Sequence, residues 1–207
     1  MLKHLSIEEK WNVYTHAFGA LLSALGSLAL FVYLENLSWI STLGLLIYCF
    51  SMVFLFSSSA LYHSMPVTRQ AFWQKIDHIG IFILIAGTYT PVTLTVLHDS
   101  SGFYLLTVVW SLAFFGVFYK LFYIGRFKNF SLILYLTMGW LVIFDFTNVL
   151  NLFPPDALQF LALGGFFYTF GTVFYRWESL YFNHVIWHLF VLAGAASHFV
   201  MIVQLFS

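Results

Sequence analysis

Five residues whose types suit metal-assisted hydrolysis lie in three separate stretches: Ser59 and His63, then Asp77, then His184 and His188. His184 and His188 are four apart, which on a helix puts both imidazoles on one face, about 6 Å from each other and near enough to share one ion. Taken singly, each signal is weak. A pair of histidines at this spacing arises from packing about as readily as from ligation, and a lone histidine on an apolar helix, as at His63, is more often a satisfied core residue. Ser59, one turn from His63, would ordinarily bond its own helix backbone. Asp77, expected near a helix start, would ordinarily serve the helix dipole. Together they are more specific. Three neutral imidazoles leave the fourth position of a tetrahedral Zn²⁺ open to water, the pattern of catalytic rather than structural sites. Zinc would bring the pKa of that water towards neutrality. Asp77 could hold and deprotonate it, while Ser59 could bond a substrate oxygen or orient His63. Ions that prefer carboxylates, Mg²⁺ and Ca²⁺, fit three nitrogens poorly, whereas ligand type does not separate Zn²⁺ from Fe²⁺, Mn²⁺ or Ni²⁺.

These residues can meet only if the intervening chain folds back repeatedly, and its composition says in what solvent. Of 207 residues, 61% are hydrophobic and 8% charged, too few charges for a soluble fold to face water. A helix needs about 20 apolar residues to cross a bilayer. Charges, prolines and polar clusters divide the chain into spans expected at roughly 13–34, 39–62, 76–97, 103–123, 131–150, 157–175 and 182–205. The expectation is an all-α, seven-transmembrane bundle forming a single domain over 1–207. Pro66 should end the second span, and Pro154 with Pro155 should separate the fifth from the sixth. Pro91 falls inside the third, where it should kink the helix. The first apolar stretch follows Glu8 and Glu9 and has no small-residue cleavage site, so it reads as a retained helix. No repeat is evident. The lone cysteine, Cys49, lies in an apolar run and carries no information about the compartment. Net charge is zero, and no nucleic-acid partner is expected.

Where the charges fall is more informative than their sum. Lys3 and Lys10 precede the first span, Arg69 and Lys75 separate the second from the third, Lys120, Arg126 and Lys128 flank the turn after the fourth, and Arg176 precedes the seventh. All would lie on one side, an agreement expected by chance about once in 128 trials, and the positive-inside rule makes that side cytoplasmic. The N-terminus is then inside and the C-terminus outside, in a multi-pass membrane protein. This topology rests on Lys and Arg alone, yet it brings Ser59, His63, Asp77, His184 and His188 to one membrane level. Ionisable groups within spans are costly and mark function more often than elsewhere.

Other polar residues have plainer readings beside functional ones. Glu9, Asn12 and His16 share a helical face and could form a hydrogen-bonded cap over the site or pack at the interface. His198 lies about 15 Å deeper than His188, too far to share an ion. It could line a cavity, although a helix-to-helix hydrogen bond is the commoner role. Asp145 should face an outer vestibule or a polar partner. His4 and His98 read as solvent-side residues. Trp11, Trp39, Trp73 and Trp177 suit interfacial anchoring, whereas Trp110 and Trp140 fall inside spans.

The pattern Ser59-x-x-x-His63, Asp77 after a basic stretch, and His184-x-x-x-His188 at the start of the last span resembles the progestin and adipoQ receptor family, specifically its bacterial haemolysin III branch. Glu9-x-x-Asn12-x-x-x-His16 is similar to that family's opening motif, and the resemblance covers essentially the whole chain. It implies a seven-helix bundle with zinc near the cytoplasmic face, held by His63, His184 and His188, with Asp77 reaching the ion through water. It also implies kinship with alkaline ceramidases and other membrane hydrolases. The short stretch ahead of the first span departs from the eukaryotic receptors, so hormone reception is not carried over. Three functions compete at this stage: a zinc-dependent hydrolase of a lipid amide or ester entering from the bilayer, with Asp77 and Ser59 as catalytic groups; a pore former; and a membrane-homeostasis or signalling protein with non-catalytic zinc. A pore would need polar stripes along several helices, and these spans offer few.

Overall fold

A computed structural model describes residues 2, 5–123 and 128–207, together with the backbone but not the side chain of Lys128. Among them are seven helices long and apolar enough to cross a membrane: Ile7–Tyr33, Trp39–Ser64, Val67–Leu94, Gly102–Tyr123, Asn129–Leu152, Pro155–Arg176 and Asn183–Phe206. Their first and last residues follow from local chemistry. Ser6 caps the first span by accepting from the Glu9 amide at 3.1 Å, with Glu8 and Glu9 in the favourable first turn. Ser38 caps the second through the Ser41 amide at 3.1 Å. Pro66 precedes the third span, and Pro155 opens the sixth, where its missing N–H would have had no partner in any case.

Neighbours in sequence pack as neighbours in space along the first four spans; the seventh joins the sixth and closes back on the first, while the fifth touches the third, fourth and sixth more lightly. The interior is made by residues such as Leu45, Tyr48, Phe82 and Val109, whereas Val32, Phe144 and Trp39 point outward fully into the surroundings, an arrangement suited to lipid and not to water. Gly44 lets the second span approach the proline of the third: a Cβ there would stand 2.8 Å from the Pro91 Cα.

Three features depart from the sequence-based expectation. The third span begins at Val67, well before 76, because the polar turns between Thr68 and Lys75 are good helix even though they are too hydrophilic to register as membrane. Asp77 therefore lies ten residues beyond the helix start, and the helix-dipole reading of it does not hold. The fifth span is interrupted: α-helix over Lys128–Gly139 gives way to a 3-10 segment, Trp140–Asp145, before α-helix resumes at Phe146–Leu152. Tyr89 of the third span pins the break, its hydroxyl donating to the Gly139 carbonyl at 2.8 Å and accepting from the Val142 amide at 2.9 Å, so backbone groups released by the change of helix type are satisfied. Finally, Phe182, just before the seventh span, has φ of 61°, a left-handed conformation that is strained for a bulky aromatic.

Trp110 and Trp140 are ties between spans, their indole N–H groups donating to Thr90 and Thr169 hydroxyls at 3.1 and 3.2 Å. Of the basic residues, Lys10, Arg69, Lys75, Lys120 and Arg176 stand at one end of the bundle, the end that carries His63 and His184. Lys3, His4, Arg126 and the Lys128 side chain lie outside the described residues.

Candidate metal centre

His63 comes from the last turn of the second span, His184 and His188 from the first turns of the seventh. One nitrogen from each ring lies within 4.8 Å of the others. The ring centroids are 4.6 to 5.1 Å apart. Tetrahedral zinc with Zn–N near 2.0–2.1 Å needs nitrogens about 3.4 Å apart, so small side-chain rotations bring the three rings to ligating distance.

The hydrogen bonds decide which nitrogens are free. Nδ1 of His63 lies 2.7 Å from Oε2 of Glu9. A carboxylate accepts, so Nδ1 carries the proton and Nε2 holds a lone pair. That Nε2 is buried and has no partner. His188, 2% exposed, places Nδ1 3.2 Å from the Thr15 hydroxyl. The single proton of that hydroxyl is directed to the Trp11 carbonyl at 2.9 Å, so the hydroxyl accepts from His188 and Nε2 of His188 keeps its lone pair as well. The first span thus supplies the groups that orient two of the three imidazoles. Of the three clustered rings, His63 is the one whose inner nitrogen is buried without a partner among the described residues; such an atom is costly, and a metal ion shared with His184 and His188 would satisfy it.

Ser59, Asp77, His184 and His188 line one cavity of about 1020 Å³. Asp77 is not in the three-histidine cluster; its Oδ2 lies 3.9 Å from Nδ1 of His78. His78 donates that Nδ1 proton to the Gln74 carbonyl at 2.6 Å. Ser59 is buried one turn before His63. Of the five residues singled out by their spacing, His63, His184 and His188 form the cluster, whereas Ser59 and Asp77 line the cavity that His184 and His188 also line.

Sequence reasoning left open what Glu9, Asn12 and His16 do. Glu9 holds His63 directly. His16 stacks flat on His188, with centroids 3.5 Å apart and planes 14° apart, and both its nitrogens are buried without a partner. Asn12 is buried beside it, its Oδ1 likewise unpartnered. Thr15 was missed altogether, although its place beside His16 on the polar face of the first span was a usable signal. His198 lines the same cavity farther along; its ring edge packs on Gly164 and its face leans on Tyr168 at 5.5 Å. Asp145 has the polar partners expected of it, accepting from the Ser101 and Ser100 hydroxyls and from Asn148 Nδ2. His98 is exposed and pairs with Asp99 at 2.8 Å.

From the histidine end the cavity runs between the spans towards Ile143 and Leu158. Trp140, Ile143 and Phe146 of the fifth span and Phe166, Phe170 and Val173 of the sixth line it and are themselves accessible. The part of the cavity wall between these two spans is therefore apolar and loosely packed.

Comparison with known proteins agrees with this architecture. A family model described as haemolysin-III related matches residues 5–199. The chain is 40% identical over 195 residues to the hemolysin-3 homolog of Bacillus subtilis, covering 93% of this chain and 91% of the relative. It is 38% identical over 195 residues to hemolysin-3 of Bacillus cereus, covering 93% and 89%. It is also 32% identical over 200 residues to the human monocyte to macrophage differentiation factor, covering 93% and 82%.

Proposed function

Since the chain belongs to the haemolysin-III related family of multi-pass membrane proteins, we propose that it is a zinc-dependent hydrolase acting on the amide or ester of a lipid that enters from the bilayer. The observation that carries this reading is a cluster of three imidazoles, two of which, His184 and His188, line a large cavity with mostly apolar walls. His63, His184 and His188 would hold the ion. Zinc, when bound, supplies Lewis acidity that polarises a carbonyl and makes water acidic enough to attack near neutral pH.

The remaining work falls to the protein's own groups. Asp77 would hold the attacking water and take its proton, then return it to the leaving amine or alcohol. Ser59 donates its hydroxyl proton to the substrate oxygen, or steadies His63. Glu9 and Thr15 hold the rings of His63 and His188 in the tautomer that keeps Nε2 open, so neither ring turns away when substrate arrives. The apolar walls receive the lipid chain and keep bulk water from the reacting carbonyl. They also give ions no polar stripe to follow, which argues against a pore.

The orientation belongs to the same proposal: a single domain with the histidine end and the N-terminus cytoplasmic, because the basic residues cluster there. Tags at the N-terminus should be shielded in intact cells and tags at the C-terminus accessible; both on the same side would sink this orientation. The hydrolase reading is tested with purified protein, a lipid amide and a lipid ester, and Asp77→Asn. That variant should keep most of the metal and lose turnover, since the amide matches the carboxylate in size but is not a base. Loss of metal as complete as with a histidine removed would put Asp77 on the ion, and unchanged turnover would remove it from the reaction.

A further inference from the structure

Lys120 sits near the end of the fourth span with 3% of its surface exposed. Lysines near helix ends usually extend their ammonium to the membrane surface. This one instead lines the cavity that contains Asp77 and His184. Among the described residues no carboxylate lies within 4.0 Å of its ammonium, and the aromatic face it approaches, Tyr119, is 6.0 Å away. Asp77 is on the same cavity wall but outside ion-pair distance, so it offsets the charge only through space. A cation withdrawn from water with no contact partner is expensive to keep.

A second orphan lines the same cavity. Ser131, in the first turns of the fifth span, is also buried, and its hydroxyl has no partner among the described residues. The fourth and fifth spans are in contact, so an ammonium and a hydroxyl, both donors, are offered to one cavity by adjacent spans. Tyr135, one turn beyond Ser131, is already committed, donating to the His78 carbonyl at 3.1 Å. Beyond this polar end the walls are apolar, with Leu136, Ile143 and Leu158.

We propose that Lys120 and Ser131 form an anion subsite for the carboxylate or phosphate of an amphiphile whose apolar chain occupies the rest of the cavity. A point charge and a hydroxyl donor facing one cavity can recognise either oxyanion, and neither group has a role in holding the metal. The proposal deepens the hydrolase reading by naming the charge of its ligand, and it rests on that reading only in sharing the cavity.

The test is equilibrium binding to the purified full chain in uncharged detergent, before and after chelation, so that neither turnover nor metal is required. Chain-brominated dodecanoate and dodecyl phosphate are compared with brominated dodecanol by quenching of tryptophan fluorescence, Trp140 and Trp187 both lining the cavity. The anions should bind about tenfold tighter than the alcohol, the order expected of one charge-assisted contact. Lys120→Gln should abolish that preference while still binding dodecanol, which also reports that it is folded. Lys120→Arg should preserve the preference and Ser131→Ala should reduce it. Asp77→Asn should strengthen it by removing a competing negative charge. No preference in the unaltered protein, or an undiminished one in Lys120→Gln, overturns the subsite. Competition by inorganic phosphate as effective as by dodecyl phosphate overturns the assignment to an amphiphile. Absence of hydrolysis with the preference intact would count against the proposed reaction and leave the subsite standing.

Discussion

At one end of the bundle Asp145 has both carboxylate oxygens bonded, by Ser100, Ser101 and Asn148; at the other, both nitrogens of His16 and Nε2 of His63 are buried with no partner among the described residues. Both ends bury ionisable groups in apolar helices, so burial by itself does not separate structure from function. Satisfaction does. Asp145 ties the turn between the third and fourth spans to the interrupted fifth span, and its hydrogen bonds are complete without any ligand. The histidine end is held just as firmly from outside, by Glu9 and Thr15, but its inner atoms are left with capacity that only something brought in can use.

The comparison predicts opposite responses to substitution. The largest effect should come from His63→Ala, His184→Ala or His188→Ala, each taking the metal content of the purified protein from about one ion per chain to none, the stoichiometry of a single tetrahedral site. Metal content unaffected by all three would end the metal-centre reading and the hydrolase with it. Glu9→Gln should be next, weakening metal binding by about 10- to 100-fold, as expected when the group orienting a ligand histidine is altered; titration against a competing chelator measures it. Asp145→Asn should leave metal affinity unchanged and lower stability by about 1–2 kcal/mol, through loss of charge-assisted bonds from the serines, read as a reduced melting temperature. If Asp145→Asn instead released metal, the two ends would be coupled and the contrast would fail. Smallest of all, His198→Ala should leave metal content at its original value, since the ring lies farther along the cavity and outside the cluster.

Much of the site was legible because its signals are local or global, and little was legible where a distant span decides. The spacing of His184 and His188 is local, and the one-sided placement of Lys and Arg is global; together they put His63 and Asp77 at the membrane level of that pair without any knowledge of packing. The depth of Asp77 in its helix was misjudged because hydropathy marks where lipid begins, whereas the helix begins where Pro66 permits it. Thr15 was passed over despite its place beside His16, since a threonine in an apolar helix usually serves its own backbone, as this one also does. Lys120 was read only as a marker of topology because its burial depends on how the fourth and fifth spans lean together. The break in the fifth span has no proline to announce it; a tyrosine fifty residues earlier maintains it.

That break sets the rotational phase of the outer half of the fifth span. A 3-10 helix turns about 120° per residue and rises about 2.0 Å, against about 100° and 1.5 Å for an α-helix. Six residues, Trp140–Asp145, therefore advance the chain by roughly a third of a turn and about 3 Å more than an α-helix would. Phe146–Leu152 presents a buried Val149 and leaves Phe146 and Leu150 exposed. With the segment wound as α-helix, the same seven residues would reach that end of the bundle turned by that third, with Val149 carried away from the core and a different set of side chains beside the sixth span. The Tyr89 hydroxyl thus acts as an index pin, holding Phe146–Leu152 at the angle on which its packing depends.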